Sequence, residues 1–186
     1  VDHQVQNAAF VQTGRCFAVQ HAGTPQRREN FEVGDARIPP DHFLWPLGSE
    51  VHDDRLFVFW AETTTVAEPQ PPGHGITRYP VATWLATYDP ESLERLSFDP
   101  APNPGAEPMY GFAVASDEEY SYLFGNTNQL NFWRNGGYDN GPHDATQMFL
   151  ARVQRGQFAD TPEYWDGAGW GEDATQSAPI SERFYA

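Results

Sequence analysis

The segment Arg55-Leu-Phe-Val-Phe-Trp60 is the most apolar stretch of the chain and decides its fold class. Its apolar side chains are continuous rather than alternating, which is typical of a β-strand covered on both faces. The tight-turn composition His52-Asp53-Asp54 precedes it, and an earlier strand is predicted around Phe43-Leu-Trp45. Two more strands are predicted at residues 83–88 and 93–98, so we expect four consecutive strands.

A second set of strands follows at a fixed distance along the chain. It comprises Tyr110-Gly-Phe-Ala-Val-Ala115, the turn Asp117-Glu118-Glu119, the segment Tyr120-Ser-Tyr-Leu-Phe124, and residues 148–153 and 163–165. Trp45 and Tyr110 are 65 positions apart, and the pairs Leu85/Leu150 and Ala86/Ala151 keep that spacing. Helical periodicity is weak throughout, with one turn at most at residues 90–96. The Gly and Pro residues, 16 of each, favour short strands joined by turns.

This repeat of strand, tight turn, strand, long loop, strand, short turn and strand predicts four-stranded antiparallel blades of a β-propeller. The predicted fold is therefore all-β, a partial propeller with a 65-residue repeat. Five such blades need about 325 residues, so the 186 residues hold about half of a five-bladed ring. We expect one incomplete domain, with a blade remnant at 8–22, blades at 43–98 and 109–165, and the start of another blade at 178–186. The alternative is two unrelated hairpin pairs in a sandwich.

The composition excludes several classes of function. The chain carries 26 acidic and 11 basic residues, all of them Arg, with a net charge of −15. Such a chain has no basic patch with which to bind nucleic acid. Hydrophobic residues at 39% and aromatic residues at 15% are too frequent for intrinsic disorder. No apolar stretch is long enough for a membrane span. Cys16 has no cysteine partner for an intrachain disulfide, and we expect a buried, inert thiol.

Several motifs resemble those of a known protein family. The runs Phe43-Leu-Trp-Pro-Leu47, Thr83-Trp-Leu-Ala86, Tyr110-Gly-Phe-Ala-Val-Ala-Ser-Asp117, Tyr122-Leu-Phe-Gly-Asn-Thr-Asn128 and Pro162-Glu-Tyr-Trp-Asp-Gly167 are similar to secreted bacterial five-bladed propellers of uncharacterised function. Those proteins resemble glycoside hydrolases of the endo-arabinanase type, in which paired carboxylates near the propeller axis catalyse hydrolysis. The resemblance implies a secreted or cell-surface protein that acts on a polysaccharide, with further blades of the same protein as partners.

In such a propeller, the loops between the second and third strands share one face with the connections between blades, and binding residues lie on loops held by a rigid scaffold. The candidate face is formed by loops 24–42, 62–82, 99–109 and 125–147. The turns 52–54 and 117–119 fall on the opposite face, so their acidic residues are predicted to be solvated rather than functional. Sugars are bound by amides, carboxylates and aromatic rings. The predicted substrate-binding residues are Trp45, Tyr110, Asn126, Asn128, Asn131, Trp133, Arg134 and His143.

Three carboxylates are candidates for catalysis. Asp41 precedes an innermost strand, Glu62 ends a second strand at the same rim, and Asp144 lies beside His143. Two of these flanking one groove could act as general acid and base, with their separation setting the stereochemical outcome. For each carboxylate the alternative is a simple surface charge, and for the asparagines it is the capping of turns.

No cofactor is expected, because phosphate-binding, dinucleotide and zinc motifs are absent from the sequence. Residues 166–173, Asp-Gly-Ala-Gly-Trp-Gly-Glu-Asp, offer oxygen ligands for a structural calcium ion without matching the EF-hand spacing. Three functions stay open: a glycoside hydrolase or a fragment of one, a carbohydrate-binding propeller without catalysis, and a structural scaffold.

Overall fold

A computed structural model of the protein describes residues 7–13, 15–24, 27–65, 78–103, 108–126 and 147–181. Thirteen strands are assigned within these ranges: β1 (Ala9–Thr13), β2 (Cys16–Gln20), β3 (Ala22–Thr24), β4 (Arg27–Glu29), β5 (Phe43–His52), β6 (Arg55–Thr65), β7 (Arg78–Tyr88), β8 (Arg95–Pro100), β9 (Met109–Ser116), β10 (Tyr120–Asn126), β11 (Met148–Gln154), β12 (Glu163–Trp165) and β13 (Trp170–Gly171). One short 3₁₀ helix, Ala174–Gln176, follows β13. The predicted all-β class is confirmed.

Every sheet is antiparallel and joins strands that are consecutive in the chain. The hairpins β1-β2 and β3-β4 form separate two-stranded sheets. The first large sheet has the order β5-β6-β7-β8, and the second has the order β9-β10-β11-β12-β13. Antiparallel neighbours can be joined by short connections, as β5 is joined to β6 and β9 to β10. At residues 53–54, Asp53 and Asp54 adopt φ values of 47° and 54°, as the two-residue turns of twisted hairpins require.

The two large sheets repeat the same strand pairing. In the first sheet Val58 pairs with Ala86, and in the second Leu123 pairs with Ala151, each 65 positions later. The inner hairpins correspond as well, since Val51 pairs with Leu56. Their equivalents 65 positions on, Ser116 and Ser121, also pair, and both hairpins carry a register shift towards the loop end. The spacing found in the sequence is therefore a repeat of strand register.

The main hydrophobic core lies between the two large sheets, with β5 against β9. Its buried members are Phe59, Leu85, Ala101, Tyr110, Leu123, Phe149, Ala151, Val153, Phe158 and Tyr164. Phe59 meets Phe158 edge to face, with ring centroids 5.7 Å apart, a geometry that aromatic pairs prefer. A Cβ atom at Gly48 would lie 2.7 Å from the carbonyl carbon of Ala113. Glycine at position 48 thus lets the backbones of β5 and β9 come close together.

A second core covers the other face of the first sheet. Leu44, Trp60, Trp84, Ala86, Tyr88 and Phe98 are buried there, and Phe31 and Ile38 from the segment before β5 pack against them. Both faces of β6 are therefore covered, as the continuous apolar segment 55–60 predicted. Phe57 contacts Phe158 on one face, while Val58 packs into the second core on the other.

Several local features differ from the sequence-based expectations. Residues 22–24 pair with residues 27–29 as β3 and β4, where a loop was expected, and residues 170–171 add a fifth strand to the second sheet. Cys16 is exposed, so the prediction of a buried thiol is wrong. Its strand belongs to a two-stranded sheet, which has too few layers to enclose a side chain. Residues 179–181 are not in a strand, and residues 182–186 lie outside the described part.

In the described part of the chain, no helix combines the length and the apolar character needed to cross a membrane.

Gly111 gives a test of how closely the two sheets pack. Its φ is +99°, and a Cβ atom there would lie 2.3 Å from Cδ1 of Phe59. We expect Gly111→Ala to lower the free energy of unfolding by about 2–4 kcal/mol, through overpacking and backbone strain. The measurement is the midpoint of urea unfolding. Gly169→Ala is the matched control, because Gly169 has no atom within 4 Å of such a Cβ; equal midpoints for both variants would contradict this packing.

Candidate functional site

A group of three side chains, Glu62, His42 and Trp84, lies at the rim where β5 begins and β6 ends, and we call it the polar centre. Glu62 is near the end of β6, where it pairs with Leu44 of β5 and with Ala82 of β7. This is the rim from which the predicted loops extend. The side chain of Glu62 is almost completely buried, with 6% of the residue exposed. A carboxylate buried to this extent needs hydrogen-bond partners to offset its lost hydration.

Both oxygens of Glu62 have such partners. The indole Nε1 of Trp84 donates to Oε2 over 2.7 Å, and Nδ1 of His42 contacts Oε1. A carboxylate oxygen only accepts, so the proton in the second contact lies on Nδ1 of His42. The other ring nitrogen, Nε2, is then either a proton acceptor or, in the charged ring, a donor. The His42 side chain is 18% exposed, which leaves part of the imidazole accessible.

The Glu62–His42 pair has the arrangement by which enzymes orient a catalytic histidine. A buried carboxylate fixes the tautomer and direction of the ring, and it stabilises the imidazolium that forms when the ring takes up a proton. Both oxygens of Glu62 are already engaged, by His42 and by Trp84. Glu62 therefore suits the role of a positioning carboxylate better than that of a general acid.

Trp84 is itself held by stacking. Its ring lies parallel to that of Phe98, with centroids 5.0 Å apart and an interplanar angle of 7°. The guanidinium carbon of Arg37 lies 4.9 Å from the Trp84 ring centroid, within the range of a cation–π contact. Arg37 is in turn paired with Asp35 over 2.6 Å. The hydrogen bond from Arg37 lowers the pKa of Asp35 to about 2.

A second buried carboxylate, Glu32, lies in the segment before β5. It accepts hydrogen bonds from Nη1 of Arg95 over 2.6 Å, from the amide of Gly34 over 2.7 Å, and from the hydroxyl of Tyr88. Burial raises the pKa of Tyr88 well above its usual range, and the bond to Glu32 adds to that rise. Glu32 and His42 both line a cavity of about 210 Å³. The cavity therefore has a carboxylate and an imidazole in its wall.

Asn7 fastens this segment to the sheet. Its side-chain amide donates to the carbonyl oxygens of Glu32 and Leu44 over 2.8 and 2.9 Å, and its own oxygen accepts from the amide of Glu32 over 2.8 Å. Asn7 is 5% exposed. One buried side chain thus fixes the position of residues 30–44, which carry Glu32 and His42.

The structure places the predicted site residues in different surroundings. Asp41 is exposed in the turn that leads to His42 and β5. Trp45 is half-buried on β5, and Asn126 is half-buried at the end of β10. Tyr110 has no exposed surface; its hydroxyl bonds to Ser177 over 2.9 Å, and burial raises its pKa to about 12. Those are the surroundings of a core residue, and its role in substrate binding stays a prediction.

The remaining predicted residues lie outside the described part of the chain. They are Asn128, Asn131, Trp133, Arg134, His143 and Asp144. Their roles as substrate-binding and catalytic residues stay predictions.

Sequence reasoning missed two residues of the polar centre, His42 and Trp84. His42 directly follows Asp41, and its place just before an innermost strand was the available signal. Trp84 was noted only as part of a strand motif. Their pairing with Glu62 depends on the register of β5, β6 and β7, which no local pattern specifies.

The acidic turns at the opposite end have the expected solvated character. The Asp53 side chain is 85% exposed. Asp117 accepts hydrogen bonds from the amides of Glu119 and Tyr120, which lower its pKa. Asp166 similarly accepts from the amides of Ala168 and Gly169. Within the described ranges, no group of three or more His, Cys, Asp or Glu side chains is arranged to hold a metal ion. The calcium site at 166–173 stays a prediction.

The sequence matches the family described as Domain of unknown function (DUF5005) over residues 2–184. The chain belongs to this family. No curated protein matches the sequence. The fold of this DUF5005 chain is similar to the crystal structure of a "putative hydrolase" from Bacteroides ovatus ATCC 8483, with a TM-score of 0.55 and 15% identity. The match covers 84% of the DUF5005 chain and 39% of the other, so the chain spans about two fifths of that neighbour.

The hydrogen bond from Trp84 to Glu62 can be tested by a substitution that keeps an aromatic ring at position 84. We expect Trp84→Phe to lower the free energy of unfolding by about 1–3 kcal/mol, because it leaves a buried carboxylate oxygen without its donor. Chemical denaturation provides the measurement. Trp45→Phe is the control, since the Trp45 side chain has no hydrogen bond among the described residues. If the control loses as much stability as Trp84→Phe, the hydrogen bond contributes nothing.

The ion pair of Asp35 predicts a specific pH dependence. The pKa of Asp35 is lowered from 3.8 to about 2 by Arg37, so its stabilising effect is complete above the unfolded-state pKa. It is lost as the pH falls through about 2, when the folded protein takes up the proton. We expect NMR titration to give a higher pKa for Asp35 in Arg37→Gln, because the guanidinium is lost and only the backbone hydrogen bond from residue 37 still lowers it. The titration of Asp117, which owes its shift to its own turn, serves as the control. An unshifted Asp35 in the unsubstituted protein would rule out the pair.

Proposed function

We propose that this DUF5005 chain is part of a carbohydrate-active hydrolase, most simply a glycoside hydrolase that acts on a polysaccharide. The observation that carries the proposal is the buried Glu62–His42 pair at the rim of the first sheet. A buried charge costs stability, so a buried carboxylate that contacts a partly exposed imidazole at the rim favours a functional role over a purely structural one. The hydrolase description of the Bacteroides ovatus neighbour agrees with this class of activity.

The proposed architecture is a five-bladed propeller in which the two large sheets are consecutive blades. The repeated register and the contact between β5 and β9 support it. In this arrangement the loops after β6 and β10 lie together around the axis, and the remaining blades belong to the same protein. We propose a secreted or cell-surface location, as the family resemblance implies.

In the proposed hydrolysis, the exposed carboxyl group of Asp41 and the buried carboxylate of Glu62 have different roles. Glycoside hydrolysis needs one carboxyl group that protonates the leaving oxygen and a second that acts as base or nucleophile. Asp41 is exposed beside His42 and is able to reach a substrate. Glu62 acts through His42, whose Nε2 takes up or delivers a proton at the rim. Asp144 is the candidate for the second carboxyl group. Asn126, with the asparagines and Trp133 of the following loop, binds the sugar hydroxyls and rings.

The test is the release of reducing sugars from a panel of polysaccharides by the full-length protein. We expect Asp41→Asn and His42→Asn each to lower kcat by at least about 100-fold, because general acid–base groups contribute at that level. Glu62→Gln is expected to shift the pH–rate profile, since it alters the partner of the imidazole. Asp53→Asn, on the exposed turn at the other end of the sheet, is the matched control.

Two results would contradict the hydrolase. One is the absence of sugar release from every polysaccharide tested, and the other is an unchanged rate in both Asp41→Asn and His42→Asn.

A carbohydrate-binding propeller without catalysis is the second candidate. It is favoured by one observation, that both oxygens of Glu62 are already engaged by Trp84 and His42. Glycan-array binding that survives substitution of every carboxylate on the loop face would support it. For a pure scaffold, alanine at Trp133, Asn128 and Arg134 would leave every ligand measurement unchanged.

A further inference from the structure

Two equivalent strands of the large sheets differ in how they are covered. β6 and β10 begin at Arg55 and Tyr120, which correspond to each other through the 65-residue repeat. The middle of β6 is buried on both faces, whereas β10 alternates between buried and half-buried residues along its whole length. Alternation of this kind belongs to a strand with one covered face. The second sheet therefore has one face against the first sheet and one without a layer among the described residues.

The uncovered face carries aromatic residues where an ordinary solvent face carries polar ones. We call it the aromatic face; its members are Tyr120, Tyr122, Phe124, Leu150, Arg152, Trp165 and Trp170, all of them half-buried. The alternate residues of the same strands, such as Leu123 and Ala151, point into the core between the sheets. A continuous aromatic surface on a sheet marks a binding interface.

Two polar side chains of this face, Arg152 and Tyr122, already have partners. The guanidinium of Arg152 lies between two rings, 4.0 Å from the centroid of Tyr120 and 4.3 Å from that of Trp170, and its Nε donates to Glu163 over 2.8 Å. The hydroxyl of Tyr122 donates to Asp117 over 2.8 Å. Arg152 and Tyr122 therefore stay paired when the aromatic face is covered, which lowers their share of the desolvation cost of binding.

The face of the first sheet that corresponds to the aromatic face is covered, and the structure shows by which residues. Phe57 and Phe59 are the equivalents of Tyr122 and Phe124. Both pack on Phe158, in the connection between β11 and β12 of the second sheet, with ring centroids 4.9 and 5.7 Å apart. Leu85, the equivalent of Leu150, is buried in the same core. The first sheet is therefore covered on this face by the next antiparallel sheet in the chain together with the connection between its strands β11 and β12.

We propose that the aromatic face is the docking surface for a third antiparallel sheet of the same protein, packed face to face as the second sheet packs on the first. The proposal rests on the propeller arrangement of the proposed function but not on its catalysis. The partner chemistry follows from the established contact: a sheet face of aliphatic and aromatic residues, as Leu123, Phe149 and Val153 present to the first sheet.

A glycan is the less suitable occupant of this face. Sugar rings stack on open aromatic faces, and Arg152 already covers one face of Tyr120 and one of Trp170. Trp165 meets Trp170 with ring centroids 5.5 Å apart at 66°, so the indoles also contact each other. Arginine, tyrosine and tryptophan are the residues enriched at the centres of protein interfaces.

Hydroxyl-radical footprinting of the full-length protein tests the proposal. After correction for intrinsic reactivity, we expect Tyr122, Trp165 and Trp170 to be oxidised as slowly as Tyr110, which has no exposed surface. Phe10, at 72% exposed, is the reference for a free side chain. Three results would overturn the proposal: oxidation of the three residues faster than Tyr110, protection that depends on protein concentration and thus on a second copy, or protection that requires added polysaccharide.

Substitution gives an independent measurement. In the full-length protein, Tyr122→Ser is expected to lower Tm by roughly 5–10 °C, as for loss of a buried aromatic ring. Val51→Ser is the control, because Val51 is 62% exposed at the opposite end of the first sheet, and its Tm is expected to stay unchanged. An equal, small shift in both variants would count against a covering sheet. Neither measurement reads sugar release, so failure here leaves the hydrolase proposal standing.

Discussion

The close approach of the two large sheets is the constraint on which the rest of the structure depends. Phe59 occupies the space that a side chain at Gly111 would fill, and the backbones of β5 and β9 meet at Gly48. This contact buries a shared core of residues from both sheets. Because apolar burial is the main favourable term in folding, the sheets hold each other in place. The rim that carries Glu62 is fixed as a result.

The strands were predictable because their signals are local. The apolar run at 55–60, the acidic turns and the 65-residue spacing each specify a nearby feature, and the pairing register confirms the repeat. The contacts of the polar centre were harder to predict from the sequence. Glu62 was identified from its position at a strand end, but Trp84 reaches it from another strand and His42 from the preceding segment. Such contacts depend on tertiary packing and leave little trace in local sequence.

The surroundings of Glu32 and Glu62 show how this acidic protein stabilises buried carboxylates. Glu32 and Glu62 are both nearly buried, and each is surrounded by donors: arginine, backbone amide and tyrosine in one case, tryptophan and histidine in the other. Arg95, the arginine that binds Glu32, also lies over the ring of Phe98, and Arg37, the partner of Asp35, lies over Trp84. A planar guanidinium can stack and form ion pairs at once, which a lysine ammonium cannot do equally well.

The hydrogen bonds of Asn7 to Glu32 and Leu44 matter for the choice of the first residue in a shortened form of the domain. Asn7 lies two positions before β1, in a stretch that sequence inspection would readily trim away as a tail. Its amide nevertheless joins Glu32 to Leu44 from a distance of 25 and 37 positions. A shortened protein that starts at the first strand would leave the segment bearing His42 without this tether, so its imidazole would lose its alignment while the sheets stayed intact.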